Sequence, residues 1–229
     1  MNQKLTIGEP FLETRIIEDE SAFSVKGPAI LLNLDTVMNI SVGSVFSDSA
    51  EESGTISKST SVCRIFSLPP LQAAQICDTH ISCKGKALLV IGADTLDLGD
   101  LTTIDCLRRI WKSNYELTHQ ESQRGKPYYK SPRTSIDNVS MNFVLVSEPG
   151  APSGIHCKHA APIRELHLQI VGEGCVDLLA EDDPSAVFAS LPLASGSTHV
   201  PEWNTELVYP WHRYRSVTRS IFMAVEISE

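Results

Sequence analysis

The feature that most constrains the fold is a series of short segments in the last third of the chain, each bounded by turn residues. From residue 137 onward these segments are NVSMNFVLVSE, IRELHLQIVGEG, CVDLLAE, AVFASLPLA, HRYRSV and SIFMAVEIS. Gly, Pro and Asp separate them, which is typical of β-strands joined by short connections. Strands at this spacing predict an antiparallel sandwich or barrel over residues 137–229.

Residues 1–136 predict a mixture of strands and helix. SAFSVKGPAILLNLDTVMNISVGSVF indicates short strands, ALLVIGA a buried strand, and SQRGKPYYKSPRTS a loop with two prolines. TTIDCLRRIWKSNYELTHQE predicts one helix, whose apolar face is formed by Ile104, Leu107, Ile110, Trp111 and Leu117. We therefore expect a mainly β chain with a mixed α/β region at 1–136, either a degenerate copy of the barrel or an extension of its sheet, and a β-barrel at 137–229.

Charge and hydropathy argue against several classes of partner. The 229 residues carry a formal net charge of −9, whereas nucleic acids and anionic membranes reward basic surfaces. No segment approaches the roughly 18 consecutive apolar residues of a membrane-spanning helix, and the polar start does not resemble a signal peptide. The six cysteines form no CxxC pair, which favours reduced thiols. We expect a cytoplasmic protein with no nucleic-acid or membrane partner.

Histidines concentrate in the segment GIHCKHAAPIRELHLQIVGEG, which runs from Gly154 to Gly174. Side chains two apart share a face of a strand, so Glu165, His167 and Gln169 point one way and the aliphatic residues between them point the other. One interpretation is a solvated polar face. The alternative is a metal site, because imidazoles with one carboxylate are ligands for Fe, Mn, Ni or Zn. The absence of Lys and Arg from that face, with His156 and His159 just upstream, favours the metal.

Two further histidines could complete such a site. His199 lies in SGSTHVP and His212 in VYPWHRYRS, where a proline shortly before the histidine presents the side chain stiffly. His80 and His119 lie far from this group in sequence, and we interpret them as ordinary surface or polar residues.

These residues resemble the motifs of the cupin superfamily. The first cupin motif reads G-x5-H-x-H-x3-4-E-x6-G, and Glu165 and Gly172 have its Glu-x6-Gly spacing. The paired histidines are replaced by HCKH, so His159 is the first candidate for the ligand role and His156 the second. The second motif reads G-x5-P-x-G-x2-H-x3-N. It matches in two registers, one ending on His199 and the preferred one on His212, which precedes the last strand.

The resemblance covers about residues 137–229 and implies a small antiparallel barrel, or double-stranded β-helix, with a metal inside. It implies that two or three histidines and one glutamate hold the metal. The candidates are His159, Glu165, His212 and His156, with iron as the first metal and manganese, nickel or zinc as alternatives. His167 and His199 are the candidate catalytic residues, as proton carriers or further ligands. Residues that could line a substrate site are Gln169, Tyr209, Trp211 and Tyr214.

The predicted function is a metal-dependent enzyme that acts on a small polar organic molecule. An Fe(II) oxygenase, such as a dioxygenase, is the first candidate among oxidoreductases, and a metal-assisted lyase or isomerase is the second. The alternatives are a non-catalytic cupin that binds a small ligand and a metal-free interaction barrel. The resemblance also implies a homodimer, since cupins commonly pair by sheet extension.

Overall fold

The computed structural model describes residues 2–35, 38–42, 64–157, 163–200 and 210–228. Within these ranges the chain is built mainly from antiparallel strands, which confirms the predicted fold class. The strands before the helices are β1 (Asn2–Leu5), β2 (Glu13–Glu18), β3 (Phe23–Asn33), β4 (Met38–Val42), β5 (Arg64–Leu68), β6 (Ala73–Ser82) and β7 (Lys86–Ile91). They form one seven-stranded sheet in the order β1-β2-β7-β3-β6-β4-β5.

The helices follow this sheet, and the remaining strands form two further sheets. The helices are α1 (Leu101–Ile110) and α2 (Asn114–Thr118). The remaining strands are β8 (Lys112–Ser113), β9 (Tyr128–Lys130), β10 (Thr134–Ile136), β11 (Val139–Val146), β12 (Ile163–Val171), β13 (Gly174–Leu179), β14 (Val187–Leu193), β15 (Thr198–His199), β16 (Trp211–Ser216) and β17 (Ser220–Ser228). One sheet has the order β15-β12-β17-β11-β9-β8, with β10 beside β11, and a smaller sheet has the order β14-β13-β16.

The central strands β11, β12 and β17 are buried on both faces. Their outer residues, such as Leu166, Leu168 and Ile170, pack against the N-terminal sheet and α1 in one hydrophobic core. Their inner residues face the small sheet, where Val144 and Phe222 pack with Val176. Burying each large aliphatic side chain contributes about 1.5–3 kcal/mol relative to leaving it exposed. Because both faces are buried, the polar inner face of β12 packs toward the small sheet.

The single helix predicted over TTIDCLRRIWKSNYELTHQE is interrupted at Trp111. The indole is 1% exposed and stacks on Phe143, with the ring centroids 5.9 Å apart. To reach that position Trp111 adopts an extended backbone, and Ser113 then begins α2 with a capping box that it forms with Glu116. The predicted apolar face was wrong at Ile110 and Leu117, both of which are exposed.

The predicted loop SQRGKPYYKSPRTS contains strand β9 and the start of β10. Both strands pair with β11, so the sheet of the C-terminal half already begins before residue 137. The division of the chain into 1–136 and 137–229 stays a prediction. Five cysteines, Cys77, Cys83, Cys106, Cys157 and Cys175, lie in the described ranges, and none of these is in a disulfide. No helix in the described part of the chain is long and apolar enough to cross a bilayer.

Candidate metal centre

Three side chains from different elements meet on the inner side of the C-terminal sheets. Glu165 projects from β12 and His212 from β16. His156 lies just before β12 and forms an isolated antiparallel bridge with His212, in which each backbone N–H donates to the other residue's carbonyl, at 3.1 and 3.0 Å. This bridge places the two imidazole rings side by side, with their centroids 4.2 Å apart. The chain therefore brings together two imidazoles and one carboxylate that are distant in sequence.

The donor atoms of this group are close enough to share one metal ion. Nε2 of His156 and Nε2 of His212 each lie 3.6 Å from Oε2 of Glu165, and one ligand atom from each residue lies within 4.8 Å of the others. Two donor atoms that share a metal at about 2.1 Å lie about 3.4 Å apart when the angle at the metal is tetrahedral. The two separations of 3.6 Å between the imidazoles and Glu165 are close to this value.

Backbone carbonyls fix the orientation of both imidazoles. Nδ1 of His212 donates to the carbonyl oxygen of Pro210 at 2.9 Å, and Nδ1 of His156 donates to that of Gly154 at 3.2 Å. Metal-binding histidines usually hold their second nitrogen in this way, because the hydrogen bond selects the tautomer that leaves a lone pair on Nε2. Such a lone pair faces the carboxylate of Glu165, so a proton or a metal ion must lie between them.

The three side chains differ in burial, and the carboxylate changes the pKa of the most exposed imidazole. Glu165 is 8% exposed and His212 is fully buried, whereas the His156 side chain is about one-third exposed. The adjacent Glu165 carboxylate raises the pKa of His156, because it stabilises the protonated imidazole. His156 is therefore the position where a proton and a metal ion would compete most directly.

The two predicted catalytic histidines lie next to this group. Nε2 of His167 is 3.8 Å from Oε1 of Glu165, and its ring packs edge-on against Phe222. His199 lies opposite His167 in the pairing of β12 with β15. Burial, together with the nearby imidazoles, lowers the pKa of His199 to about 4, so His199 is neutral at pH 7. Its Nε2 is buried without a hydrogen-bond partner among the described residues.

Burial excludes one of the two interpretations of the polar face of β12. Glu165, His167 and Gln169 are 8%, 4% and 0% exposed, so the interpretation as a solvated face was wrong. Gln169 lies deepest, where its amide accepts from the Tyr214 hydroxyl at 3.0 Å and donates to the Val171 carbonyl at 2.9 Å. These bonds and the stacking of Tyr214 on Phe222 close the base of the barrel.

The remaining predicted residues divide into two groups. Trp211 lies on the face of β16 opposite to His212, together with Arg213, which pairs with Asp177. The substrate roles of Gln169, Trp211 and Tyr214 stay predictions. Two predicted site residues, His159 as a ligand and Tyr209 as a substrate contact, lie outside the described residues.

The structure also explains the glycine of the first motif. Gly172 ends β12 with a φ of 73°, and a Cβ there would lie 2.3 Å from the carbonyl oxygen of Arg219. Both the left-handed backbone and the close approach of another chain segment require glycine. The Glu-x6-Gly spacing therefore corresponds to the part of β12 from Glu165 to its end, followed by the glycine of the turn.

Sequence reasoning missed a second polar group on the same inner face. Lys130, Asn142 and Glu226 project from β9, β11 and β17, and Arg133 forms a two-bonded ion pair with Glu226. Lys130 was hidden because its segment was predicted to be a loop. The alternation in NVSMNFVLV could have revealed Asn142, since it falls on the same face as Ser140 and Val144.

Known proteins similar to this chain were found by comparing structures but not by comparing sequences. No family model and no curated protein match the sequence. An RmlC-like cupin protein from Desulfovibrio desulfuricans is 17% identical over 41% of this chain and 76% of that one, with a TM-score of 0.32. A Cupin 2 conserved barrel domain protein from Leptotrichia buccalis is 10% identical over 100% and 88%, with a TM-score of 0.34.

A third similar structure is oxalate decarboxylase from Bacillus subtilis, a protein with Mn(II) centres. It is 11% identical over 99% of this chain and 72% of that one, with a TM-score of 0.36. Likenesses this weak say nothing about the activity, metal or substrate of the chain. The solved structures similar to this chain include cupin proteins, the superfamily that its motifs resemble.

Proposed function

We propose that the chain is a metal-dependent cupin enzyme that acts on a small polar organic molecule inside its C-terminal barrel. The observation that carries the proposal is the convergence of His156, Glu165 and His212 within 4.8 Å on a largely buried face. The fixed tautomers of both imidazoles support it, because they aim the Nε2 lone pairs at one point. In this proposal His159 and His199 are candidates for a further ligand.

The proposed metal is a divalent transition ion, with iron first. Two imidazoles and one carboxylate with open positions form the ligand set of many non-haem Fe(II) oxygenases. The same donors accept manganese, nickel or zinc, and cells select among these by availability. Bound there, the metal would activate O2 or polarise a carbonyl of the substrate.

The chain's own residues would supply the rest of the chemistry. His199 is neutral at pH 7, because burial lowers its pKa to about 4, so its imidazole can accept a hydrogen bond from a bound molecule or serve as a metal ligand. His167 lies between Glu165 and the ring of Phe222, where it can orient a substrate or relay a proton. Tyr214 and Phe222 close the base of the barrel and exclude water from that side.

A turnover experiment tests this proposal. Protein purified without a histidine tag is loaded with Fe(II) under argon, then incubated with a mixture of small organic acids and sugars in the presence or absence of O2. Mass spectrometry follows each compound. We expect a metal-dependent loss of one compound in the wild type and none in Glu165→Gln. A requirement for O2 would identify an oxygenase, and turnover without O2 a lyase or isomerase.

The control is His119→Asn, which removes an imidazole outside the site at a left-handed position that asparagine tolerates. This variant should keep full turnover. If the metal-loaded protein binds a compound but does not convert it, the proposal of an enzyme is contradicted. The alternative of a non-catalytic, ligand-binding cupin is then supported. Failure of the folded protein to take up metal would contradict the proposal as a whole.

A further inference from the structure

The polar group beyond the metal centre lies in the same row of the sheet as His167. Asn142 on β11 and His167 on β12 are both register partners of Ala224 on β17. Neighbouring strands are about 4.8 Å apart, so the Cα atoms of Asn142 and His167 are about 10 Å apart. Ala224 between them has only a methyl group, so no large side chain of β17 separates the two positions in this row.

A cavity of about 430 Å³ opens on the Asn142 side of this row. Its polar lining includes Lys112, Lys130, Arg133 and Asn142, and its apolar lining includes Ile110 and Leu117. Lys112 and Lys130 are register partners, so their side chains share a face of the sheet. Three cations therefore line one cavity in a chain whose net charge is −9.

The charges in the cavity are only partly balanced within the described part of the chain, where Glu116 interacts with the charge of Lys112. Glu226 forms an ion pair with Arg133, and Glu226 is itself the register partner of Glu165. Lys130 has no ion pair with a described carboxylate, although it is only partly exposed. Burial lowers the pKa of Lys130, while the charges of Glu165 and Glu226 oppose that shift. An anion in the cavity would stabilise the charged ammonium group.

We propose that this cavity binds a carboxylate of the substrate, through Lys130 with Lys112 and Asn142, while the other end of the same molecule reaches the metal centre. The substrate class is then a small dicarboxylate or a related oxo acid. Its methylene groups would contact the apolar side of the cavity at Ile110 and Leu117. The inference rests on the proposed function for the reacting end alone, because the anion site is formed by residues outside the metal centre.

Calorimetric titration tests this inference with defined probes. Malonate, succinate and adipate are titrated into Zn(II)-loaded wild type, Lys130→Gln and Lys26→Gln, with succinamide as the uncharged probe. Lys26→Gln removes the same charge at an exposed position on β3 and is the matched control. We expect one of the diacids to bind and Lys130→Gln to weaken it by about tenfold or more. Lys26→Gln should leave the affinity unchanged, and succinamide should not bind.

The outcomes separate this inference from the proposed metal centre. Equal affinities in Lys130→Gln and Lys26→Gln, or no diacid binding by folded, metal-loaded protein, would overturn the inference and leave the metal centre intact. The protein could instead take up no metal but bind a diacid in a way that depends on Lys130. That result would support the anion site and contradict the proposed metal centre. Lys130→Met retains the apolar stem of the lysine. It should reproduce the loss if the charge, rather than packing, is responsible.

Discussion

At the scale of single residues, the candidate site depends on Glu165. Its carboxylate lies within 3.6–3.8 Å of three imidazole nitrogens, those of His156, His167 and His212. Alternation along β12 predicted that Glu165 and His167 share a face, because the side-chain period of a strand is two. His212 on β16 was a candidate from the proline before it and from the motif, but its position beside Glu165 could not be predicted, since strand pairing is not determined by local sequence.

Protons should compete with the metal at His156. The Glu165 carboxylate raises the pKa of His156, so the imidazole is protonated up to a higher pH than a free histidine. Metal binding must release that proton, and the affinity should therefore rise with pH until the raised pKa is passed. His199, whose pKa is lowered to about 4, should add nothing above pH 5. Metal titrations between pH 5 and pH 8 measure this dependence, and a flat profile would contradict it.

Gly174 should tolerate no larger residue. A Cβ at this position would lie 2.2 Å from the hydroxyl oxygen of Tyr214, which is 1% exposed. Gly174→Ala should therefore lower the free energy of unfolding by about 1–3 kcal/mol, because the ring must shift within a packed core. Chemical denaturation measures the change. Gly154→Ala, where a Cβ meets nothing within 4 Å, should change stability little, and equal effects of the two substitutions would rule out the clash.

At the scale of elements, the small sheet β14-β13-β16 is joined by Asp177. This carboxylate accepts hydrogen bonds from Arg213 and Arg215 on β16 and from Ser190 on β14. Burial alone would raise its pKa, but these bonds outweigh burial and hold the pKa of Asp177 well below its usual range. Because β16 also carries His212, this ion pair helps to position one residue of the candidate metal centre.

Asp177→Asn should destabilise the protein by about 2–3 kcal/mol at pH 7, since it leaves two arginines without their partner in a partly buried position. A lowered pKa in the folded state stabilises the fold above the unfolded pKa of about 4, and this contribution is lost as the pH falls. The difference between wild type and variant should therefore shrink below about pH 4. Denaturation at several pH values measures it, with the exposed Asp182→Asn as the control. A difference that is independent of pH would contradict the ion pair.

Elements formed by local patterns were predicted better than those formed by tertiary contacts. β12 shows polar–apolar alternation and β17 contains a short apolar run, and both were predicted as strands. The helix after residue 100 was predicted too long. It ends before Trp111 because this side chain stacks on Phe143, which belongs to a strand distant in sequence. β9 was missed for the same reason, since three of the four residues between Pro127 and Pro132 form a strand only through their pairing with β11.

At the scale of the whole molecule, the resemblance to cupins leads us to propose a homodimer. Light scattering should then give a mass twice the 25.1 kDa of the chain, independent of the metal. A mass of one chain at micromolar concentration would contradict the proposal. The antiparallel, mainly β fold could be predicted from strand rhythm, whereas the packing of the N-terminal sheet on the outer face of β11, β12 and β17 could not, because aliphatic faces pair without a sequence signature.

The metal content of the purified protein tests the central claim most directly. Elemental analysis of tag-free wild type, Glu165→Gln, His212→Asn and His119→Asn should find close to one metal ion per chain in the wild type and in His119→Asn. It should find little or none in the two variants of the site, because each loses one of three ligands. No metal in folded wild type from several growth conditions, or equal metal in all four proteins, would contradict a metal centre at His156, Glu165 and His212.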